Sequence, residues 1–254
     1  MRTGKIWLIL LFLLSVSAKA ESDYIFEHLS TENGLSHSSV SVMLKDRRGF
    51  MWFATWDGIN RFDGKSFVTF KPDNGDGAVV ASNRVEKMKE DAFGNIWIIT
   101  TDERAFRLNK FTERFESISA DSEGQIKAQV NDVYILNSGD VWVSTNNMGV
   151  YRVVTNSSSN DISITQYNVG GESRIPGNQI SFVREDSEGN IWINTDKGLA
   201  CFEASSKDNK LHSKSFSKET KNLLNSFHFT ATYSSAQSIY FGTGEGLLLM
   251  FDLR

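Results

Sequence analysis

Asp46-Arg47-Arg48-Gly49-Phe50-Met51-Trp52, Asp91-Ala92-Phe93-Gly94-Asn95-Ile96-Trp97 and Asp186-Ser187-Glu188-Gly189-Asn190-Ile191-Trp192 share one grammar: aspartate, glycine three residues on, tryptophan at the seventh place. A looser copy, Asn137-Ser138-Gly139-Asp140-Val141-Trp142, lies between the last two. The tryptophans at 52, 97, 142 and 192 are 45, 45 and 50 residues apart. A period of ~40–50 residues with hairpin chemistry inside each unit predicts a β-propeller, an all-β fold of four-stranded antiparallel blades.

The first unit shows how one blade is spelled. Val40 to Leu44 reads as the inner strand, Phe50 to Thr55 as the second, Ile59 to Phe62 as the third and Ser66 to Phe70 as the outer. Asp46 to Gly49, Trp56-Asp57-Gly58 and Asp63-Gly64 are the turns between them. Aspartate bonds nearby backbone amides and glycine accepts positive φ, which is why both recur there. Three residues after each aromatic comes a threonine (Thr55, Thr100, Thr145, Thr195 and, after Tyr240, Thr243). A glycine then opens the third strand at Gly58, Gly149, Gly198 and Gly246; the second unit departs with Glu103-Arg104-Ala105. The fifth unit is worn, with Tyr240 in the tryptophan place and strands near Phe227–Tyr233, Ser238–Phe241 and Leu247–Phe251. Five blade units are counted. The tryptophans read as packing between neighbouring sheets, not as a site.

Residues 1–20 read as a secretory signal peptide. Arg2 and Lys5 form a basic start, Ile6 to Val16 an apolar run, and Ala18-Lys19-Ala20 a small-residue cleavage site. The run is shorter than the ~20 residues a bilayer span requires, and nothing later reads as a membrane segment. Removing Arg2, Lys5 and Lys19 takes the formal charge from −4 to −7. An acidic domain without a basic block excludes nucleic acid and anionic membrane as partners. Cys201 is the single cysteine and sits in an apolar strand pattern, so it reads as a buried, inert thiol. No His/Cys/carboxylate cluster has metal-ligand spacing, and no cofactor is expected.

The pattern D-x-x-G-x-[IM]-W-x-x-T-x-x-G-[LI], led in by Phe26-Glu27-His28-Leu29 and Asn33-Gly34-Leu35-Ser36, resembles the two-component regulator propeller repeat. The resemblance covers about Tyr24 to Arg254. It implies the periplasmic sensor region of a hybrid histidine kinase, recognising carbohydrate breakdown products. Such sensors carry a kinase core. Here His28, His37, His212 and His228 lie in strand-like or loop sequence with no phosphoacceptor helix or nucleotide-binding loop, so no enzyme is expected. The family's propellers have seven blades, and seven at ~45 residues need more than the 234 residues left after residue 20. Residues 21–254 are therefore expected to form an incomplete seven-bladed propeller, partnered by the remaining blades of a longer sensor or by another sensor chain. The alternative is a closed five-bladed ring in which Tyr24–His28 adds the fifth blade's fourth strand, abolishing exposed edges.

Strand alternation puts the loops between second and third strands on the same end as the blade-to-blade connections, opposite the Asp-x-x-Gly turns. Loops on a rigid scaffold carry binding residues. The candidates for an oligosaccharide are Trp56, Asp57, Arg84, Glu103, Arg104, Asn146, Asn147, Asp196 and Lys197, with Asp102, Gln179 and Glu245 near the same mouth. An aromatic face offers stacking area, and amides, carboxylates and guanidinium groups serve hydroxyls. Trp56 is the leading single candidate because it lies in a turn. Two alternatives belong to other classes. A propeller enzyme needs two carboxylates ~5–9.5 Å apart, and the Asp-x-x-Gly turn differs from the sialidase Asp-box in its spacing to tryptophan. A WD-type interaction scaffold is poorly matched, since Trp56-Asp57 is the one Trp-Asp pair and falls in a turn.

Overall fold

The chain is described by a computed structural model over residues 26–71, 84–119, 126–171, 174–203 and 210–253. The expected signal peptide at 1–20 lies outside them, as does Tyr24. Five antiparallel sheets follow one another along the chain. The first comprises β1 (Val40–Lys45), β2 (Met51–Thr55), β3 (Gly58–Phe62) and β4 (Phe67–Phe70). The second has β5 (Val85–Glu90), β6 (Ile96–Thr100), β7 (Ala105–Leu108) and β8 (Phe115–Ser117). The third has β9 (Val130–Ile135), β10 (Val141–Thr145), β11 (Val150–Thr155) and β12 (Ile162–Tyr167). The fourth has β13 (Ile180–Glu185), β14 (Ile191–Thr195) and β15 (Gly198–Phe202); the fifth has β16 (Phe229–Ser234), β17 (Ser238–Thr243) and β18 (Leu248–Asp252). The first strands β1, β5, β9, β13 and β16 neighbour one another in that order, as the inner strands of a propeller do.

The Asp-x-x-Gly turn is a strut as well as a bend. Asp46 Oδ1 accepts from the Arg48 and Phe50 amides, both at 2.9 Å, while its Oδ2 accepts the Trp52 indole N–H at 2.9 Å. Asp91 and Asp186 repeat this, bonding Trp97 at 3.0 Å and Trp192 at 2.8 Å. Each carboxylate is buried, and each closes the turn that brings its own indole over the sheet. Gly49 takes φ +93° in that turn, a conformation that costs an L side chain ~1–2 kcal/mol. The third unit lacks the strut: Leu136 stands six residues before Trp142, and the buried indole N–H finds no acceptor among the described residues.

Each tryptophan faces the next sheet, as expected. Trp52 packs with Met88, Ile98 and Phe106 of the second sheet, and Trp97 with Val133 and Val143 of the third. Trp142 meets Val183 and Ile193 of the fourth, and Trp192 meets Phe229 and Phe241 of the fifth. The repeat threonines close the second turn: Thr55, Thr145 and Thr195 donate to the carbonyls of Gly58, Gly149 and Gly198 at 3.0, 2.7 and 2.9 Å.

Three differences from the sequence reading stand out. The fourth sheet has three strands, with Ser213 bridging Phe202 at its edge, while the fifth has the three expected of it. Phe26–His28 belong to no strand and Phe26 is fully exposed, so the strand expected to close a five-bladed ring is missing from the described residues. A helix not anticipated, α1 (Lys218–Ser226), joins the fourth sheet to the fifth. Ser217 caps it by accepting the Thr220 amide at 3.1 Å, and Leu224 is buried beside Leu199 and Phe229.

The indole–carboxylate bond can be isolated by comparing two conservative substitutions. Trp97→Phe deprives Asp91 of a donor, whereas Trp142→Phe deletes a donor that has no acceptor. Chemical denaturation should show the first costing about 1–2 kcal/mol more than the second. Equal losses would mean the bond contributes nothing net.

Candidate functional site

One end of the arc is assembled by a repeated backbone clasp. In the second to fifth sheets the residue after the second strand donates to the residue preceding the inner strand: Thr101 to Arg84 at 3.0 Å, Asn146 to Gln129 at 3.2 Å, Asp196 to Gln179 at 3.0 Å and Gly244 to His228 at 2.8 Å. Just inside this clasp every inner strand carries a one-residue bulge, seen as register shifts at Val40/Val42, Val85/Lys87, Ile180/Phe182, Phe229/Ala231 and opposite Ser144/Thr145. Bulges re-aim a side chain and end regular pairing. The extra residues are Ser41, Glu86, Asn131, Ser181 and Thr230, all polar.

A cavity of about 520 Å³ opens between the second, third, fourth and fifth blades at this end. That volume suits a small-molecule site, ~300–1,000 Å³. Its wall combines the clasp residues Asn146, Gln179, Asp196 and His228 with the bulge residues Asn131 and Ser181. Lys87, Asp132 and Tyr134 on β5 and β9, with Ile180, complete it. No Asp-x-x-Gly turn residue takes part, in keeping with the expected separation of the two ends.

The wall's charges are largely spent on one another. Asp132 accepts Lys89 Nζ at 2.8 Å and lies 3.4 Å from Lys87 Nζ, which also donates to the Asn131 carbonyl at 3.1 Å. Lys89 donates to the Val133 carbonyl as well, and its ammonium stands 5.2 Å over the Tyr134 ring. Tyr134 donates to the Ser181 carbonyl at 3.0 Å; burial, then the Asp132 charge, pushes its phenol above the usual range. Asp196 accepts the Gln179 amide at 3.4 Å and sits 3.3 Å from Lys197 Nζ.

Of the residues picked from sequence, Asn146 and Asp196, with Gln179, line the cavity. The others at this end lie off its wall. Trp56, half exposed, stacks on His37 with ring centres 5.8 Å apart, and the Arg84 guanidinium stands 5.4 Å over it. Asp57 pairs with Lys71 at 2.7 Å, and Asn147 is exposed in the β10–β11 turn. Arg104 lies over the Phe106 ring at 5.2 Å, and Thr100 donates to Asp102. Glu103 fills the glycine slot with φ +61°, its carboxylate accepting Asn146 Nδ2 at 3.1 Å and its carbonyl the Val130 amide at 2.8 Å. Two bonds to the third blade thus hold a strained residue in place.

Reasoning from loops missed Lys87, Asn131, Asp132, Tyr134, Ser181 and His228. A signal for the bulges was present: Ser41, Glu86, Asn131 and Ser181 are polar residues 11 positions before the repeat tryptophan, each following a β-branched residue. Among the described residues no group of three or more His, Cys, Asp or Glu side chains is placed to hold a metal ion. Cys201 is buried on β15 of the fourth sheet, and burial, then the Asp186 charge, pushes its thiol up.

Residues 34–57 and 174–197 match the profile of the two component regulator propeller. A segment of 73 residues, 28% of this chain, is 37% identical to Histidine kinase P4 of Formosa agariphila and covers 5% of it. The extracellular domain of the hybrid two component system BT3049 from B. thetaiotaomicron superposes with a TM-score of 0.57 at 24% identity, over 91% of this chain and 31% of that one. PorZ, a surface component of the type-IX secretion system of Porphyromonas gingivalis, gives 0.56 at 17% identity, over 85% of this chain and 32% of that one. The two structural likenesses are of fold. The chain spans a third or less of each of these proteins. No helix among the described residues is long and apolar enough to cross a membrane.

Two substitutions separate strain from bonding at Glu103. Glu103→Gly relieves the left-handed backbone while losing the bond from Asn146, so its stability should stay within about 1 kcal/mol of the parent. Glu103→Val keeps the strain with a β-branched side chain and should cost about 2 kcal/mol or more by urea denaturation. Cys201 should resist iodoacetamide in the folded protein and alkylate readily once denatured; rapid labelling of the native chain would refute its burial.

Proposed function

The chain carries two-component regulator propeller repeats, and from that premise we propose that it is the exported, periplasmic sensor propeller of a hybrid two-component system, recognising carbohydrate breakdown products. The observation that carries this reading is the cavity wall. Asn131, Asn146, Gln179 and Ser181 offer donors and acceptors together, on backbone clasped at the bulges, as a hydroxyl-rich ligand requires. The basic start and apolar run at residues 1–20 support export, and the likeness to extracellular domains of two component systems agrees with it.

A binding role fits better than hydrolysis. Asp132 and Asp196 are the carboxylates on the wall, and Asp132 is engaged by Lys87 and Lys89. The remaining blades of a longer sensor have a natural place. Tyr233, Leu248 and Met250 are exposed beside Tyr240, on the face of the fifth sheet equivalent by register to those that bury a tryptophan against the next sheet.

Calorimetric titration of the purified chain with oligosaccharides tests the reading. A ligand found this way should bind roughly 5–10-fold more weakly to Asn146→Ala and to Gln179→Ala, the loss of about one hydrogen bond each. Silence across a broad panel, or binding unchanged in both variants, would sink it.

A further inference from the structure

We infer that the outer edge of the fifth sheet docks the lead-in segment of a second copy of this chain, with Phe26 as its anchor; this is independent of the carbohydrate reading. The starting point is a register rule shared by the other four sheets. Trp52 pairs with Arg61 of β3 and, through it, with Val68 of β4; Phe70, two residues on, lies 5.5 Å from the Trp52 ring. The same count from Trp97 through Arg107 and Glu116 reaches Ile118, which packs in that indole's cluster. From Trp142 through Arg152 and Thr165 it reaches Tyr167, 5.4 Å from the ring. In the fourth sheet Lys214 bonds the carbonyl of Cys201, the partner of Trp192, and Phe216, two residues on, lies 5.9 Å from that ring.

The fifth sheet offers the same seat. Tyr240 pairs with Met250 of β18, and no described strand lies outside β18. Leu248 and Met250 are exposed along this edge. The strand carries no proline, lysine or bulge, the devices that discourage edge pairing. Phe26 fits the seat by its spacing. Phe70, Ile118, Tyr167 and Phe216 precede the next inner strand by 15, 12, 13 and 13 residues, and Phe26 precedes β1 by 14. It is 94% exposed and belongs to no strand. Its own fifth sheet stands at the other end of the arc. Met43 is equivalent by register to Met88, Val133 and Val183, which pack on the preceding tryptophans, yet it is 66% exposed. The two ends therefore do not cover each other. A second copy supplies the strand without moving a blade, as exchanged elements do. Strand hydrogen bonds and one buried phenyl ring supply the affinity.

Sedimentation equilibrium of the purified chain over a concentration series tests this without any sugar. The expected result is a mass that rises with concentration and falls back when a synthetic peptide of residues 22–29 is added in excess. Phe26→Ser should weaken the association by roughly tenfold or more, and the peptide with the same change should not compete. Phe26→Tyr should retain it, since Tyr167 fills the equivalent place in the third sheet. Met250→Lys should weaken it from the other side of the contact. Both side chains are exposed, and circular dichroism melts check that each variant is folded. A parent chain that stays monomeric at every concentration overturns the inference. Association that Phe26→Ser leaves unchanged overturns it too, and points to β18 pairing with its own counterpart. Neither result bears on the sugar titration, so the two readings fail separately.

Discussion

A buried aspartate accepting an indole N–H six residues downstream is the bond on which three of the five repeats depend. In the first, second and fourth sheets the same carboxylate also takes two turn amides, so one side chain fixes the bend, the register of the hairpin and the tilt of the ring. Hydrogen bonds to a charged acceptor contribute about 1.5–3 kcal/mol each, and a buried carboxylate without them would be costly. The tryptophan so placed is what the next sheet packs on. Blade-to-blade stacking is therefore set within each blade before its neighbour arrives.

The two worn units show what happens without the strut. In the third sheet Trp142 keeps its place by stacking on Tyr167, with centres 5.4 Å apart, and Arg152, opposite it in register, pairs with Asp140 at 2.7 Å. Leu136, in the aspartate's place, is buried against the fourth sheet. Apolar packing replaces the polar bond. In the fifth, Ser235 takes over the turn with its hydroxyl, and Tyr240 packs beside Tyr233 on an open face. Because the strut occupies one end of the arc, the opposite end is relieved of it, and polar side chains there are available to a ligand.

What was legible in the sequence was local. The Asp-x-x-Gly-to-tryptophan spacing, the threonine three residues later and the glycine with positive φ each act within one hairpin, so their chemistry can be read from neighbouring letters. The cavity depends on which sheets face each other, and fixed spacing conveys that poorly. Lys87 and Lys89 lie more than 40 residues from Asp132, and Tyr134 lies 47 from Ser181. The arginines opposite the first three tryptophans, Arg61, Arg107 and Arg152, went unread for the same reason; their role appears only once strands pair. Helix α1 depends on the buried Leu224 and a serine cap, a signal too short to stand out in a strand-rich chain. Trp56 was rightly placed in a turn, yet its ring partners His37 and Arg84 come from segments on either side of the first blade's strands.

The groups a ligand would meet are in large part those that hold neighbouring blades together. Asn146 donates to Glu103 across the second and third blades, Asp132 receives lysines from β5 across the same gap, and Tyr134 reaches the Ser181 carbonyl between the third and fourth. Such bonds pre-organise the cavity, because each polar group is already oriented before a ligand arrives. They also bind its shape to the spacing of the blades. A sugar that bonds Asn146 must share that amide with Glu103, and Glu103 sits in a strained backbone held by two bonds to the third blade. Under the proposed function, recognition at this mouth would therefore draw on the atoms that pack the arc, and altering one would affect the other.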